Sequence, residues 1–211
     1  MNIFSLKTNF KPLLAKTSIV TAIVTISWWN SAALAEETFE VRSDNFNLSI
    51  PMPSFSSALG SREDRQTGQT ATGNPVAIGE LIPKSESFSD WTQLFAVLIE
   101  EGLELSLDQY VGQTMNQFLR ACKMNIEDIR MLEKRNDLAV FVIPCPNYLD
   151  NPAVGEVAQF AVIQSGKSFF KIYQHWRGKA FKVSDPASFP GSTDDRQRFF
   201  DNLQNIRISK R

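Results

Sequence analysis

Residues 156–177 read Glu156-Val-Ala-Gln-Phe-Ala-Val-Ile-Gln164-Ser-Gly-Lys167-Ser-Phe-Phe-Lys-Ile-Tyr-Gln-His-Trp-Arg177. Two apolar-rich runs flank Ser165-Gly166, a dipeptide suited to a tight turn, so the stretch predicts an antiparallel hairpin. A two-residue turn fixes the register, with Gln164 facing Lys167. One face then carries Val157, Gln159, Ala161 and Ile163 with Phe170, Ile172, Gln174 and Trp176, and belongs to the core. The other carries Glu156, Ala158, Phe160 and Val162 with Phe169, Lys171, Tyr173 and His175. In this register Glu156 lies directly across from His175, within reach of a charge-assisted pair.

The only histidine of the chain opposite a carboxylate admits two readings. In one, Glu156 orients the ring and raises its basicity, as in a general acid/base dyad of a hydrolase-type enzyme. Tyr173 and Arg177 would then bind an anionic substrate. No nucleophile motif of the G-x-S-x-G kind accompanies the pair, and no catalytic residue is assigned. In the other reading the pair is a polar contact at a sheet margin, and this is the one the sequence favours. The hairpin is also basic: from Val157 to Ser184 there is no acid, while Lys167, Lys171, Arg177, Lys179 and Lys182 are positive. These side chains either hold an anion or lipid headgroup, or protect an edge strand from unwanted pairing. The candidate binding residues are therefore Glu156, Lys171, Tyr173, His175 and Arg177.

At the N-terminus, Lys7, Lys11 and Lys16 precede an apolar run, Thr17 to Trp29, and then Ser31-Ala-Ala-Leu-Ala35. That is the layout of a secretory signal cleaved after Ala35. A bilayer-spanning helix needs about 20 apolar residues, more than this run holds, so an uncleaved anchor is the lesser alternative. Contact with the membrane is expected only during export. The expected location is the periplasm, with secretion as the alternative, and one α+β domain is expected over residues 36–211.

Composition agrees with a globular domain: 43% of the 211 residues are hydrophobic and 21% charged, with a net charge of −1. Removing three lysines with the signal leaves 19 basic against 23 acidic residues, a net of −4. Neither value suits a polycation that coats nucleic acid. The aromatics among the lysines have a superficial likeness to a single-strand nucleic-acid platform, but export argues against such a partner. One histidine and two cysteines are too few for a His/Cys zinc site or a ferredoxin-type cluster, so no metal or cofactor is expected.

Export makes the two cysteines informative. Ser106-Leu-Asp-Gln109 is a capping box, and Leu107, Tyr110, Val111, Thr114, Met115, Phe118, Leu119 and Cys122 follow at helical spacing. Cys145 ends the strand-like run Leu138 to Cys145. A Cys122–Cys145 bond would close a loop of about 24 residues and contribute on the order of 3 kcal/mol. Two buried free thiols are the alternative. There is no C-x-x-C redox motif.

Elsewhere, Thr38 to Ile50 reads as a strand and Val76 to Pro83 as another. Residues 54–75, polar and Gly/Ser-rich, read as a mobile loop. Asp90 to Glu101 fits a helix and a buried strand equally well. Ile126 to Lys134 and Leu138 to Cys145 read as a hairpin about Asn136-Asp137, and a last helix starts at Ser192, burying Phe199, Leu203 and Ile206.

The order of features from Glu80 to Phe181 resembles a group of uncharacterised proteobacterial periplasmic proteins. The shared pattern is Trp91-Thr92, Cys122 at a helix end, Cys145 after a strand, Gly155-Glu156, and Tyr173 to Arg177. More broadly, the element order resembles the PsbP/DcrB-like α/β/α sandwich. That resemblance implies an antiparallel sheet covered by two helices, and it turns Trp91 to Glu101 towards strand. It implies no catalytic residues. The function expected is that of an exported, non-enzymatic envelope protein, a small accessory or binding module whose partner is an envelope protein or a small anionic ligand.

Overall fold

The computed structural model describes residues 37–211; the expected export signal, residues 1–35, lies outside the described residues. The quoted hairpin is the centre of a seven-stranded antiparallel sheet. Its strands are β8 (Val154–Ser165) and β9 (Ser168–Lys179), and the sheet order is β3-β4-β5-β9-β8-β7-β6. The turn is Gly166-Lys167 and not Ser165-Gly166, because Ser165 pairs with Ser168. Gly166 has φ +61°, a left-handed value suited to glycine at the first central position of a two-residue turn. The register is therefore two residues from the expected one: Glu156 faces Arg177, and His175 faces Ala158. Side chains alternate with a period of two, so a slip of two keeps every residue on its expected face while changing its partner.

One face of this sheet packs on a second sheet of order β1-β2-β10. The expected single strand from Thr38 to Ile50 is in fact a hairpin, β1 (Thr38–Arg42) and β2 (Phe46–Pro51). The apolar positions change parity between Val41 and Phe46, and the turn lies there. Phe39 meets Phe95 edge-on with ring centroids 6.0 Å apart, and Phe46 meets Phe170 at 5.1 Å. Close approach of the sheets needs Gly79 on β4 (Pro75–Pro83): a Cβ there would lie 2.6 Å from Val41 Cγ2 and 2.7 Å from Phe39 Cζ.

The other face carries α2 (Leu107–Ala121), which starts at the expected capping box: Ser106 Oγ accepts from Gln109 N, and Gln109 Oε1 accepts from Ser106 N. Leu107, Tyr110 and Val111 bury against Ala139, Phe141 and Ile143 of β7 (Leu138–Cys145) and against Ala158, Phe160 and Val162 of β8. A disulfide joins Cys122, just past α2, to Cys145 at the end of β7, with Cα atoms 5.4 Å apart. Closing that loop is worth about 3 kcal/mol. The third helix, α3 (Thr193–Leu203), buries Phe199 and Leu203 and packs on β2 and β8. The sheet is thus antiparallel, as expected, but its two covers are unequal: α2 packs mainly on β7 and β8 and reaches β9 through Tyr110 on Phe169 and Phe118 on His175, and the opposite cover is largely strand.

Further expectations are corrected, and one open reading closes on the strand that the resemblance implied. Residues 54–75 are not a structureless loop: α1 (Ser54–Leu59) buries Phe55, and β3 (Ser61–Gln69) pairs with β4 along nine residues. β3 is an edge strand held by backbone pairing, so its side chains need no apolar pattern. The ambiguous segment is β5 (Gln93–Glu100), buried along most of its length. Ile206 lies beyond α3, and the chain ends in β10 (Arg207–Lys210) on β2. The hairpin about Asn136-Asp137 forms, but its first strand, read from Ile126, begins later as β6 (Arg130–Lys134), because Ile126–Asp128 is a 3₁₀ turn.

Candidate functional site

All five candidate residues lie on the α2 side of the large sheet, and they separate into two groups. Glu156 is only 2% exposed. Its Oε1 accepts from His175 Nδ1 at 2.8 Å, and its Oε2 accepts from the Tyr148 hydroxyl and lies 3.7 Å from Arg177 Nε. The contact to His175 is diagonal across the hairpin, and Arg177 is the residue directly opposite. Tyr148 is set by the loop after β7: its N–H donates to Val154 O at 3.0 Å, and it forms an isolated bridge with Cys122. Arg177 lies flat on Trp91, its guanidinium carbon 3.8 Å from the ring centroid. Its backbone N–H donates to Thr92 O at 2.8 Å, and Thr92 in turn donates to both carboxylate oxygens of Glu86.

Burial pushes the Glu156 carboxyl towards the neutral form, but the field and hydrogen bond of His175, with Tyr148 and Arg177, outweigh it and hold its pKa below the usual range. Burial and the adjacent carboxylate push the Tyr148 hydroxyl up, so it remains a donor. His175 is boxed by aromatic rings: Tyr173 at 5.0 Å, Phe160 at 5.4 Å, Phe118 at 5.8 Å and Trp91 at 6.1 Å. Its Nε2 is buried and has no hydrogen-bond partner among the described residues. A general base needs a route from its free nitrogen to the proton it removes. Here Nδ1 is committed to Glu156 and Nε2 is buried without a partner among the described residues, and the group braces β8, β9 and the two flanking loops. This is no sheet-margin contact; it lies in the interior of the sheet.

Lys171 and Tyr173 form the second group. β9 runs between β5 and β8, so these are not edge-strand lysines, contrary to the reading from sequence. Lys171 Nζ lies 5.5 Å from the Tyr110 ring centroid and 5.8 Å from that of Tyr173. Among the described residues it makes no hydrogen bond or ion pair. Burial lowers its basicity, and the field of Glu100 acts in the other direction. Tyr110 stacks on Phe169 at 4.3 Å and donates its hydroxyl to Glu100. Burial, with Glu80 nearby, pushes the Tyr173 hydroxyl up. The other basic residues do not gather here: Lys167 pairs with Glu104 at the turn, and Lys179 is exposed at the far end of β9.

Sequence reasoning found Glu156, His175 and Arg177 but missed Tyr148 and the stacking role of Trp91. Tyr148 stood in a loop without periodicity, and only its position three residues after Cys145 hinted at its place. A hollow of about 270 Å³ is lined by Ser43, Asp44, Thr67, Gln69, Pro75 and Val76, and none of the five candidate residues lines it. Among the described residues no cluster of His, Cys, Asp or Glu has the makings of a metal site.

No family model matches the chain, and neither does any curated protein. Among solved structures, a mutant of the protein Mog1 is similar at 11% identity and a TM-score of 0.45, covering 76% of this chain and 89% of that one.

Proposed function

We propose that the protein is an exported, non-enzymatic envelope protein, a small accessory or binding module, and that its fold is a variant of the PsbP/DcrB-like sandwich. The observation that carries this reading is the commitment of the Glu156–His175 pair. The carboxylate accepts from Tyr148 and His175 with the Arg177 charge 3.7 Å away, and the remaining imidazole nitrogen is buried within a box of aromatic rings without a partner among the described residues. The Cys122–Cys145 bond supports export, since such bonds persist in oxidising compartments. A single α2 helix on one face agrees with the sandwich; the strand-rich cover on the other is where this chain would differ from it.

Cross-linking in intact cells of the native host, followed by non-reducing fractionation, tests the reading. The expected result is recovery from the envelope fraction in a reproducible adduct. Recovery from the cytosol would contradict it. So would turnover of an ester, amide or phosphoester substrate that a folded Glu156→Gln variant lacks.

A further inference from the structure

The α2 side of the large sheet is only half covered. Over β7 and β8 it is sealed by α2, but over β4, β5 and β9 the side chains of Val76, Ile78, Leu98 and Lys171 stay partly exposed. On the opposite face of the same strands Ala77, Ile99 and Ile172 are buried. The strand pairings align Ile78, Leu98 and Lys171 in one row across three strands. The neighbouring row on the same face is Glu80, Ala96 and Tyr173. At about 4.8 Å per strand, Lys171 stands roughly 10 Å from Ile78. The result is an apolar strip with one ammonium group at its end.

That ammonium is the unusual feature. A partly buried lysine is normally paired, because removing its charge from water is costly. Lys171 has ring faces beneath it and no acceptor among the described residues, while Glu100 is engaged by Tyr110. The Tyr173 hydroxyl, two residues along on the same face, is likewise without a hydrogen bond among the described residues. We infer that this strip binds a small amphipathic monocarboxylate. The carboxylate accepts from Lys171 Nζ and the Tyr173 hydroxyl, and the apolar body lies along Leu98 and Ile78. One negative charge matches the single cation. A second would face Glu80 and Glu100, which flank the row, so a dianionic phosphate is disfavoured. The inference rests on the reading of the protein as a binding module and names the ligand class it takes.

Calorimetric titration of the purified protein at neutral pH tests this with decanoate, decyl phosphate and decanol below their aggregation concentrations. Decanoate is expected to saturate one site, with decanol bound at least about tenfold more weakly, as loss of a charge-assisted hydrogen bond requires. Lys171→Met should lose the preference for decanoate over decanol, Lys171→Arg should keep it, and Tyr173→Phe should weaken decanoate several-fold. Leu98→Glu, at a partly exposed position, leaves Lys171 intact yet should abolish binding, and it carries the test where Lys171→Met fails to fold. Equal binding of decanol, an unaffected Lys171→Met variant or no saturable binding overturns the inference. Tighter binding of decyl phosphate overturns the carboxylate assignment. None of these outcomes bears on envelope location or on lack of turnover, so the ligand assignment falls separately from the proposed function.

Discussion

A carboxylate that is 2% exposed stays ionised only where donors replace the water it has lost, and Glu156 has two, the Tyr148 hydroxyl and His175 Nδ1, with the Arg177 charge 3.7 Å away. Removing one partner of a buried ion pair typically costs about 3–5 kcal/mol, so Glu156→Gln should destabilise strongly, read as a fall in the urea midpoint at neutral pH. The sign of the pH dependence follows from the pKa shift. The folded-state pKa of Glu156 is depressed, so its contribution is present above the unfolded carboxylate value, about 4.3, and is lost as pH falls through the lower folded value. Urea midpoints of the wild type should decline across that acid window, and Glu156→Gln should show a shallower decline. Tyr148→Phe removes one donor, moves the folded-state pKa of Glu156 back towards the unfolded value and so should make the acid decline smaller, at a cost of about 1–3 kcal/mol at neutral pH. The pairing of Glu156 with His175 was legible in the sequence although the register was not. Ser-Gly and Gly-Lys both suit a two-residue turn, and the two choices differ by a slip that preserves faces. His175 reaches Glu156 diagonally because long side chains span neighbouring positions on a sheet.

Elements were legible where two independent signals agreed. α2 has a capping box and an apolar stripe in the same frame, and it forms as read. β3 has neither signal, because an edge strand exposed on both faces is held through backbone groups alone. The hairpin of β1 and β2 was written in the parity change after Val41, and β10 is too short to carry a period. Two tests belong to this scale. Asp195 accepts from Ser54 Oγ at 2.8 Å and from Ser192 Oγ at 2.7 Å, tying α1 to the start of α3. Asp195→Ala should cost about 1–2 kcal/mol and raise amide exchange in residues 54–59, leaving the central strands protected. Gly79→Ala places a methyl group against Val41 and Phe39 between the two sheets, with an expected loss of about 1–3 kcal/mol in thermal or urea unfolding. Wild-type stability in that variant would mean that the sheets can part at this contact.

For the whole molecule, the Cys122–Cys145 bond ties the helix layer to the sheet, and Tyr148, three residues on, reaches Glu156 from the same corner. A Cys122→Ser/Cys145→Ser double variant should lose about 3 kcal/mol. Because the same corner carries Tyr148, the variant should also show a smaller decline in the acid window, as loss of the Tyr148 donor narrows the gap between the folded and unfolded pKa of Glu156. The antiparallel sheet was legible from hairpin signals, and α2 from its cap; that strands would so far outnumber helices was not. The unequal covering of the sheet was not, because strands such as β3 and β10 carry no pattern from which a layer could be counted. The uncovered strip beside Lys171 follows from that inequality, and it is why the candidate residues divide into a brace and an open pair. The central claim, an exported module locked by one disulfide, is tested most directly by the native, non-reduced intact mass of the protein taken from its host's envelope fraction. The expected mass is that of Glu36–Arg211 less two hydrogens, with any added mass assigned to a retained ligand. A full-length chain bearing two thiols that alkylate after denaturation would contradict it.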